Sequence, residues 1–176
     1  MGNEQEAIDA FEAWAKTYDE TVSGALERFV GITHRKLLDH LLQLAEVSTG
    51  DWVLDVGTGT GLLAIRCALA LDRGHVVGLD ITQDMLRRGG LNAERAGVGH
   101  RLHYTIGSGG KLPYPDNWFD GVVSALALHH TEVQRSLGEM MRVMKPSGRI
   151  TLADMGAPPA WRLAPISWLM RLLVWA

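Results

Sequence analysis

Apolar and polar positions change texture near residue 50. Before it they follow helical spacing. Residues 5–17 place Ile8, Phe11 and Ala15 on one face, and Thr33 to Leu44 carries Leu37, Leu38, Leu41, Leu42 and Ala45 as one stripe. After residue 50, short unbroken apolar runs alternate with amphipathic stretches. Runs at 51–56, 75–80, 101–106, 119–126 and 149–154 predict strands. Leu62 to Leu71, Thr82 to about Ala96, and Thr131 to about Met144 predict helices, with Thr82 as an N-cap and Thr131 with Gln134 as a capping box. Lys145 to Gly148 is expected to stop the last of these. Continuous rather than alternating strands imply burial on both faces, hence a parallel sheet covered by helices. The expected fold is a doubly wound α/β domain with a mostly parallel sheet. Ligands of such sheets sit at the carboxyl ends of the strands.

Composition narrows the classes. The chain has 176 residues with 20 acidic and 17 basic side chains, a formal charge of −3, and 47% apolar residues. It is too apolar for disorder and lacks the basic excess of a nucleic-acid binder. The single cysteine, Cys67, excludes an internal disulfide framework, and the seven histidines show no metal-ligand spacing. The N-terminus is acidic and carries no apolar run, so a cytoplasmic protein is expected.

The chemistry concentrates at strand ends. Asp55-Val-Gly-Thr-Gly-Thr-Gly61 follows the first predicted strand and opens a helix. Its spacing is Gly-x-Gly-x-Gly. The dinucleotide fingerprint needs glycine at position 62, which is Leu62. A carboxylate at Asp55 would also repel a pyrophosphate on that helix N-terminus, and would suit a ligand with positive charge. A nicotinamide-dependent oxidoreductase is therefore the third reading. Asp80 ends the second strand, where it can accept hydrogen bonds from both hydroxyls of a ribose.

Val53 to Gly61 resembles motif I of the class I S-adenosylmethionine-dependent methyltransferases. Val77 to Ile81, Asp84 to Leu86, Leu112 to Asp120 and Arg142 to Arg149 resemble that family's later motifs in order, over residues 51–154. Phe11 to Asp19 resembles the N-terminal helix of the ubiquinone/menaquinone-biosynthesis type and its small-molecule (type 11) relatives. The resemblance implies a Rossmann-like methyltransferase core. It further implies S-adenosyl-L-methionine as cofactor and methyl transfer to a small, lipophilic acceptor by in-line displacement. The alternative is a non-catalytic or incomplete cofactor-binding domain.

The resemblance assigns cofactor contacts to Asp55, Gly57, Thr58, Gly59, Thr60, Asp80, Ile81, Met85, Ser108, Gly109 and Ala125. Thr60 and the loop amides would hold the methionine part. Met85 and Ile81 would flank the adenine, although core packing explains Met85 equally. Ser108 stands where the family usually has an acidic or amide residue on the adenine amino group. Ala125 offers only backbone. His129 and His130 follow the fourth strand; they could take a proton from an acceptor, or shape the cleft, or cap the next helix. No catalytic constellation is evident, and none is required, because aligning the two reactants can supply most of the catalysis.

The expected organisation is an N-terminal helical lid (1–48) with Tyr18 as its cofactor-facing residue, a cofactor-binding core (49–155), and an apolar C-terminal segment (156–176). Trp161, Trp168 and Trp175 are spaced by seven, which reads as one helical face, packed on the domain or lying at a membrane surface. Only 22 residues follow Asp154, so the last two strands of the family's sheet are expected to be missing, leaving an open edge or a chain cut short.

Overall fold

The computed structural model describes residues 17–156 and 171–175, together with Glu12. Six strands form one sheet in the order β3-β2-β1-β4-β5-β6. The strands are β1 (Trp52–Val56), β2 (His75–Asp80), β3 (Leu102–Ile106), β4 (Phe119–Ala125), β5 (Met144–Gly156) and β6 (Arg171–Trp175). β1 to β5 pair in parallel, and β6 runs antiparallel to β5. The helices are α1 (Tyr18–Val30), α2 (His34–Ala45), α3 (Leu62–Ala70), α4 (Gln83–Arg95) and α5 (Val133–Val143), with a 3-10 turn at Leu128–His130.

Successive strand residues point to opposite faces, and both faces are buried. On β1, Val53 joins the layer of α1, α2 and α3 with Leu26, Leu37, Leu41 and Leu63; its neighbour Leu54 joins Val77, Phe119, Met140 and Val143 on the other face. This two-sided burial is why the strands read as continuous apolar runs. Strand order reverses between β1 and β4. The loops leaving β1 and β4 therefore diverge and leave a crevice at their carboxyl ends.

Several expectations are corrected. α1 was not expected; it ends at Gly31, whose positive φ of 74° lets its N–H return to the Glu27 carbonyl. The Thr131–Gln134 capping box does not form. α5 starts at Val133, and the Thr131 hydroxyl instead donates to Leu128 O while accepting from Ser136 Oγ. Thr82 flanks α4 without a side-chain cap bond.

Lys145–Gly148 is not a turn ahead of β5 but an irregularity within it. Phe119 pairs with Met144 and Gly121 with Arg149, so these four residues stand opposite Asp120 alone. Asp120 anchors that excursion, accepting from Lys145 Nζ at 2.6 Å and from Trp52 N at 2.9 Å.

The open edge expected at β5 is covered by β6, and residues 171–175 are extended rather than helical. Strand pairing satisfies the backbone groups that β5 would otherwise present, and it overrides the helical spacing of the tryptophans. Trp161, Trp168 and most of the helix expected over 5–17 lie outside the described residues. Among the described residues, no helix is long and apolar enough to cross a membrane.

Candidate functional site

The glycine loop owes its path to two backbone requirements. Gly57 has φ 72°, and a Cβ there would sit 2.2 Å from Ala127 Cβ. Gly61 has φ 82°, and a Cβ would collide with the Tyr104 hydroxyl. Only glycine meets both conditions. The loop is fastened to the neighbouring strand, since Gly57 N and Thr58 N both donate to Leu79 O, at 2.8 and 3.0 Å.

Four loops, after β1, β2, β3 and β4, surround a cavity of about 740 Å³. Asp80 stands on its wall. One carboxylate oxygen accepts from Gly59 N at 2.8 Å and the other from Thr82 N at 2.9 Å. A carboxylate has about four acceptor positions, so both oxygens keep capacity for hydroxyl donors. Burial pushes the Asp80 pKa up, and the amides of Thr82 and Gly59 work against that rise.

A second cavity of about 30 Å³ shares Tyr18, Gly57, Gly59 and Leu126 with the first. It contains Asp55, which is 1% exposed and accepts from Thr58 Oγ1 at 2.7 Å. Burial pushes Asp55 up to about 7. Its charge at neutral pH is therefore partial, and the repulsion of a pyrophosphate expected from it is correspondingly weaker.

All eleven residues singled out from the sequence line one of these two cavities. Asp55, Thr58, Thr60 and Ala125 face the small one. Asp80, Ile81, Met85, Ser108 and Gly109 face the large one, and Gly57 and Gly59 face both. Met85 is 2% exposed, so core packing and cavity lining are the same position. The Ser108 hydroxyl accepts from Gly110 N at 3.4 Å, a contact within its own loop.

Of the N-terminal segment, Tyr18 and Asp19 of α1 and His34 and Leu38 of α2 line the small cavity. Thr60 Oγ1 donates to Asp19 Oδ1 of α1 at 2.7 Å, and Asn92 Nδ2 donates to Thr60 O at 3.1 Å. Tyr18 lines both cavities. Burial, then the charges of Asp80, Asp19 and Asp154, push its phenol up to about 12.

The mouth beyond β4 holds His129, His130, Glu132 and Arg135. Asp154 of β5 grips His129 twice, accepting from its backbone N at 2.9 Å and lying 2.5 Å from Nδ1. The two imidazole centroids are 3.8 Å apart. Desolvation, then the neighbouring His129, push His130 down to about 4. Sequence reasoning missed Asp154, Asp19, Glu132 and Arg135 as members of the site. Asp154 carried one usable signal, its place at a strand end like Asp55 and Asp80. The strand end at Ala125 is followed by Leu126 at φ 56°, a left-handed conformation that is strained for leucine and that points the chain into the 3-10 turn. Among the described residues no group of three or more His, Cys, Asp or Glu could hold a metal ion.

Residues 54–152 match the family described as a methyltransferase domain. The ubiquinone/menaquinone biosynthesis C-methyltransferase of Vibrio cholerae is 30% identical over 153 residues, covering 84% of this chain and 56% of the relative. The chain thus spans a little over half the length of the curated relatives it matches. Among solved structures, the YcgJ protein of Bacillus subtilis superposes with a TM-score of 0.68 at 30% identity, covering 74% of this chain and 55% of that one. The [4+2]-cyclase SpnF superposes at 0.64, also at 30% identity, over 68% of this chain and 44% of its own. Sheet order, glycine loop and matched region agree: the chain belongs to the class I S-adenosylmethionine-dependent methyltransferases.

Proposed function

We propose that the chain binds S-adenosyl-L-methionine across the two cavities and transfers its methyl group to a small, lipophilic acceptor. The observation that carries this reading is Asp80. It is a carboxylate fixed by two amides on the wall of a cavity whose volume falls within the range of about 300–1,000 Å³ typical of cofactor sites. The donor set suits the group: acceptor oxygens for a ribose at Asp80, apolar walls at Ile81 and Met85, and carboxylates at Asp55 and Asp19 beside the glycine loop for a cationic end. When bound, the cofactor supplies an electrophilic methyl on a sulfonium leaving group.

The remaining work belongs to the chain. Asp80 and the Gly59 amide position the nucleoside end. Thr60, Asp55 and Asp19 receive the amino-acid end. Tyr18 and α1 shield the reacting centre from water, and residues 1–48 serve as a lid over the core at 49–155. No covalent nucleophile is needed, since alignment of acceptor and methyl in a dry site supplies most of the rate. The relatives' name, a C-methyltransferase of ubiquinone/menaquinone biosynthesis, supports a quinol ring as the acceptor.

Two measurements test the reading. Calorimetry should show binding of S-adenosylmethionine and none of NAD, with Asp80→Ala weakening affinity at least about tenfold, as for the loss of hydrogen bonds to a charged group. Incubation with cofactor labelled at its methyl should transfer label to 1,4-naphthoquinol. A second reading, cofactor binding without methyl transfer, is supported by Ser108 and by the similarity to a cyclase. Tight binding with no labelled product from either naphthoquinol or a quinone extract would favour it.

A further inference from the structure

We propose that His129 is the general base of the cleft, taking the proton of the acceptor's hydroxyl, and that Asp154 is the residue that positions it. This rests on the methyl-transfer reading for its context, but its test does not.

The geometry is a clamp across 25 residues of sequence. A purely structural tie between the 3-10 turn and β5 needs only the bond from His129 N to Asp154 Oδ2, at 2.9 Å. The second carboxylate oxygen lies 2.5 Å from Nδ1 of the ring. An ionised carboxylate only accepts, so in the neutral ring this contact favours the tautomer with the proton on Nδ1 and the lone pair on Nε2. A carboxylate behind one imidazole nitrogen fixes the tautomer and stabilises the imidazolium that forms when the other takes a proton. His129 lines the 740 Å³ cavity and Asp154 stands behind it, with side chains 23% and 21% exposed, open enough for an acceptor and shielded enough for the pair to matter.

The surroundings fit a base that alternates between neutral and charged. His130, on the same turn with its ring 3.8 Å away, is held neutral and adds no like charge. Tyr18 of α1 feels the Asp154 charge and stays protonated. Glu132 and Arg135 of the α5 end line the same cavity, as does Asp80. The step is a proton transfer. The acceptor O–H bond breaks, its electron pair stays on oxygen, and the proton adds to Nε2 to give an imidazolium paired with Asp154. Where the oxyanion is the nucleophile, the imidazolium releases the one proton that methyl transfer generates. Where the ring carbon it activates is the nucleophile, the C–H bond at that carbon then breaks and its electron pair restores the aromatic ring. Its proton leaves to solvent as the one proton generated, and the imidazolium returns its own proton to the oxygen.

The test uses the full chain and 4-nitrocatechol, whose ionised form absorbs at longer wavelength, at a pH where the free phenol is mostly un-ionised and with no cofactor present. With wild type the phenolate band should grow on binding. His129→Gln should cut the bound phenolate fraction about tenfold, and Asp154→Asn should move the midpoint of its formation to higher pH, because an imidazolium without its counter-charge forms less readily. Both variants are checked for folding by thermal unfolding. Equal spectra for wild type and both variants, whether from equal ionisation or from no uptake by any of them, overturn the proposal. Where naphthoquinol is a substrate, His129→Gln should lower turnover about 100-fold with cofactor affinity within about twofold, and added imidazole should restore rate to His129→Ala. Phenolate formation that depends on His129, without labelled product, leaves the base in place and removes the methyl-transfer reading instead.

Discussion

At the scale of single residues, Asp55 carries the sharpest pH dependence. Its carboxyl sits at about 7 in the folded chain because burial outweighs the hydrogen bonds from Thr58 and the Ala64 amide. In an unfolded chain it would titrate near 4. The folded state therefore binds this proton more tightly. The stability it contributes is complete below about pH 4 and is lost as pH climbs toward 7. A cationic amino-acid end entering the small cavity reverses the preference and ionises the group. Binding of S-adenosylmethionine at pH 7 should thus release a fraction of a proton. Calorimetry in two buffers of different ionisation enthalpy reads this as unequal heats, and Asp55→Asn should make them equal while weakening binding. Equal heats for wild type would show that the cation does not reach Asp55.

Ser108 gives the opposite kind of prediction. Its hydroxyl makes only a long contact within its own loop, and it faces the large cavity. Ser108→Asp places a charged acceptor where the resemblance expects one, and should tighten cofactor binding about tenfold. Unchanged affinity would mean the adenine amino group lies elsewhere.

Among elements, α3, α4 and β3 meet at Tyr104. Its side chain packs against Gly61 and Gly89, where a Cβ would lie within 3 Å of the hydroxyl and, at Gly89, of the ring as well, so the helices approach closely because both positions lack side chains. The phenol hydroxyl is buried there with no hydrogen-bond partner among the described residues. Tyr104→Phe removes an unsatisfied group at constant shape and should raise stability by about 1 kcal/mol, read as a higher denaturant midpoint with unchanged slope.

The same scale shows what the sequence could carry. β1 and β2 were legible because apolar runs ending in Asp55 with its glycines, or in Asp80, have few alternatives. α1 was not, because among its described side chains Leu26 is the one fully buried apolar residue, with Val22 packed partly beside it. The capping-box pattern at Thr131 failed because Ser136, five residues on, took the hydroxyl. β6 was hidden because residues 171–175 gain their partner from β5, which no local spacing reveals. His129 was visible as a candidate, but the carboxylate behind it was not, since a pairing over 25 residues leaves no short-range trace.

At the scale of the molecule, the site depends on the sheet's change of direction. Asp55 and Asp80 leave adjacent strands on one side of the reversal, while the 3-10 turn and Asp154 come from the other. On the proposed reading, the nucleoside end would lie on β1 and β2, and the acceptor on β4 and β5. Substitutions on one side should separate in their effects, with Asp80→Ala acting on cofactor affinity and His129→Gln on turnover.

The hydrogen bond from Thr60 to Asp19 has a consequence for timing. It ties α1 to the glycine loop at the wall of the small cavity, so on the proposed reading a ligand reaching this cavity meets it both on arrival and on leaving. On that reading it is a gate in both directions, and the Asp19 carboxylate also helps to hold a cationic end. Asp19→Asn should therefore speed dissociation more than association, with affinity falling about two- to tenfold, the range set by one hydrogen bond. Stopped-flow fluorescence would show both rates rising and their ratio shifting toward dissociation. Residence time in this cleft would then be set by the helix laid across it together with how well the pocket fits what it holds.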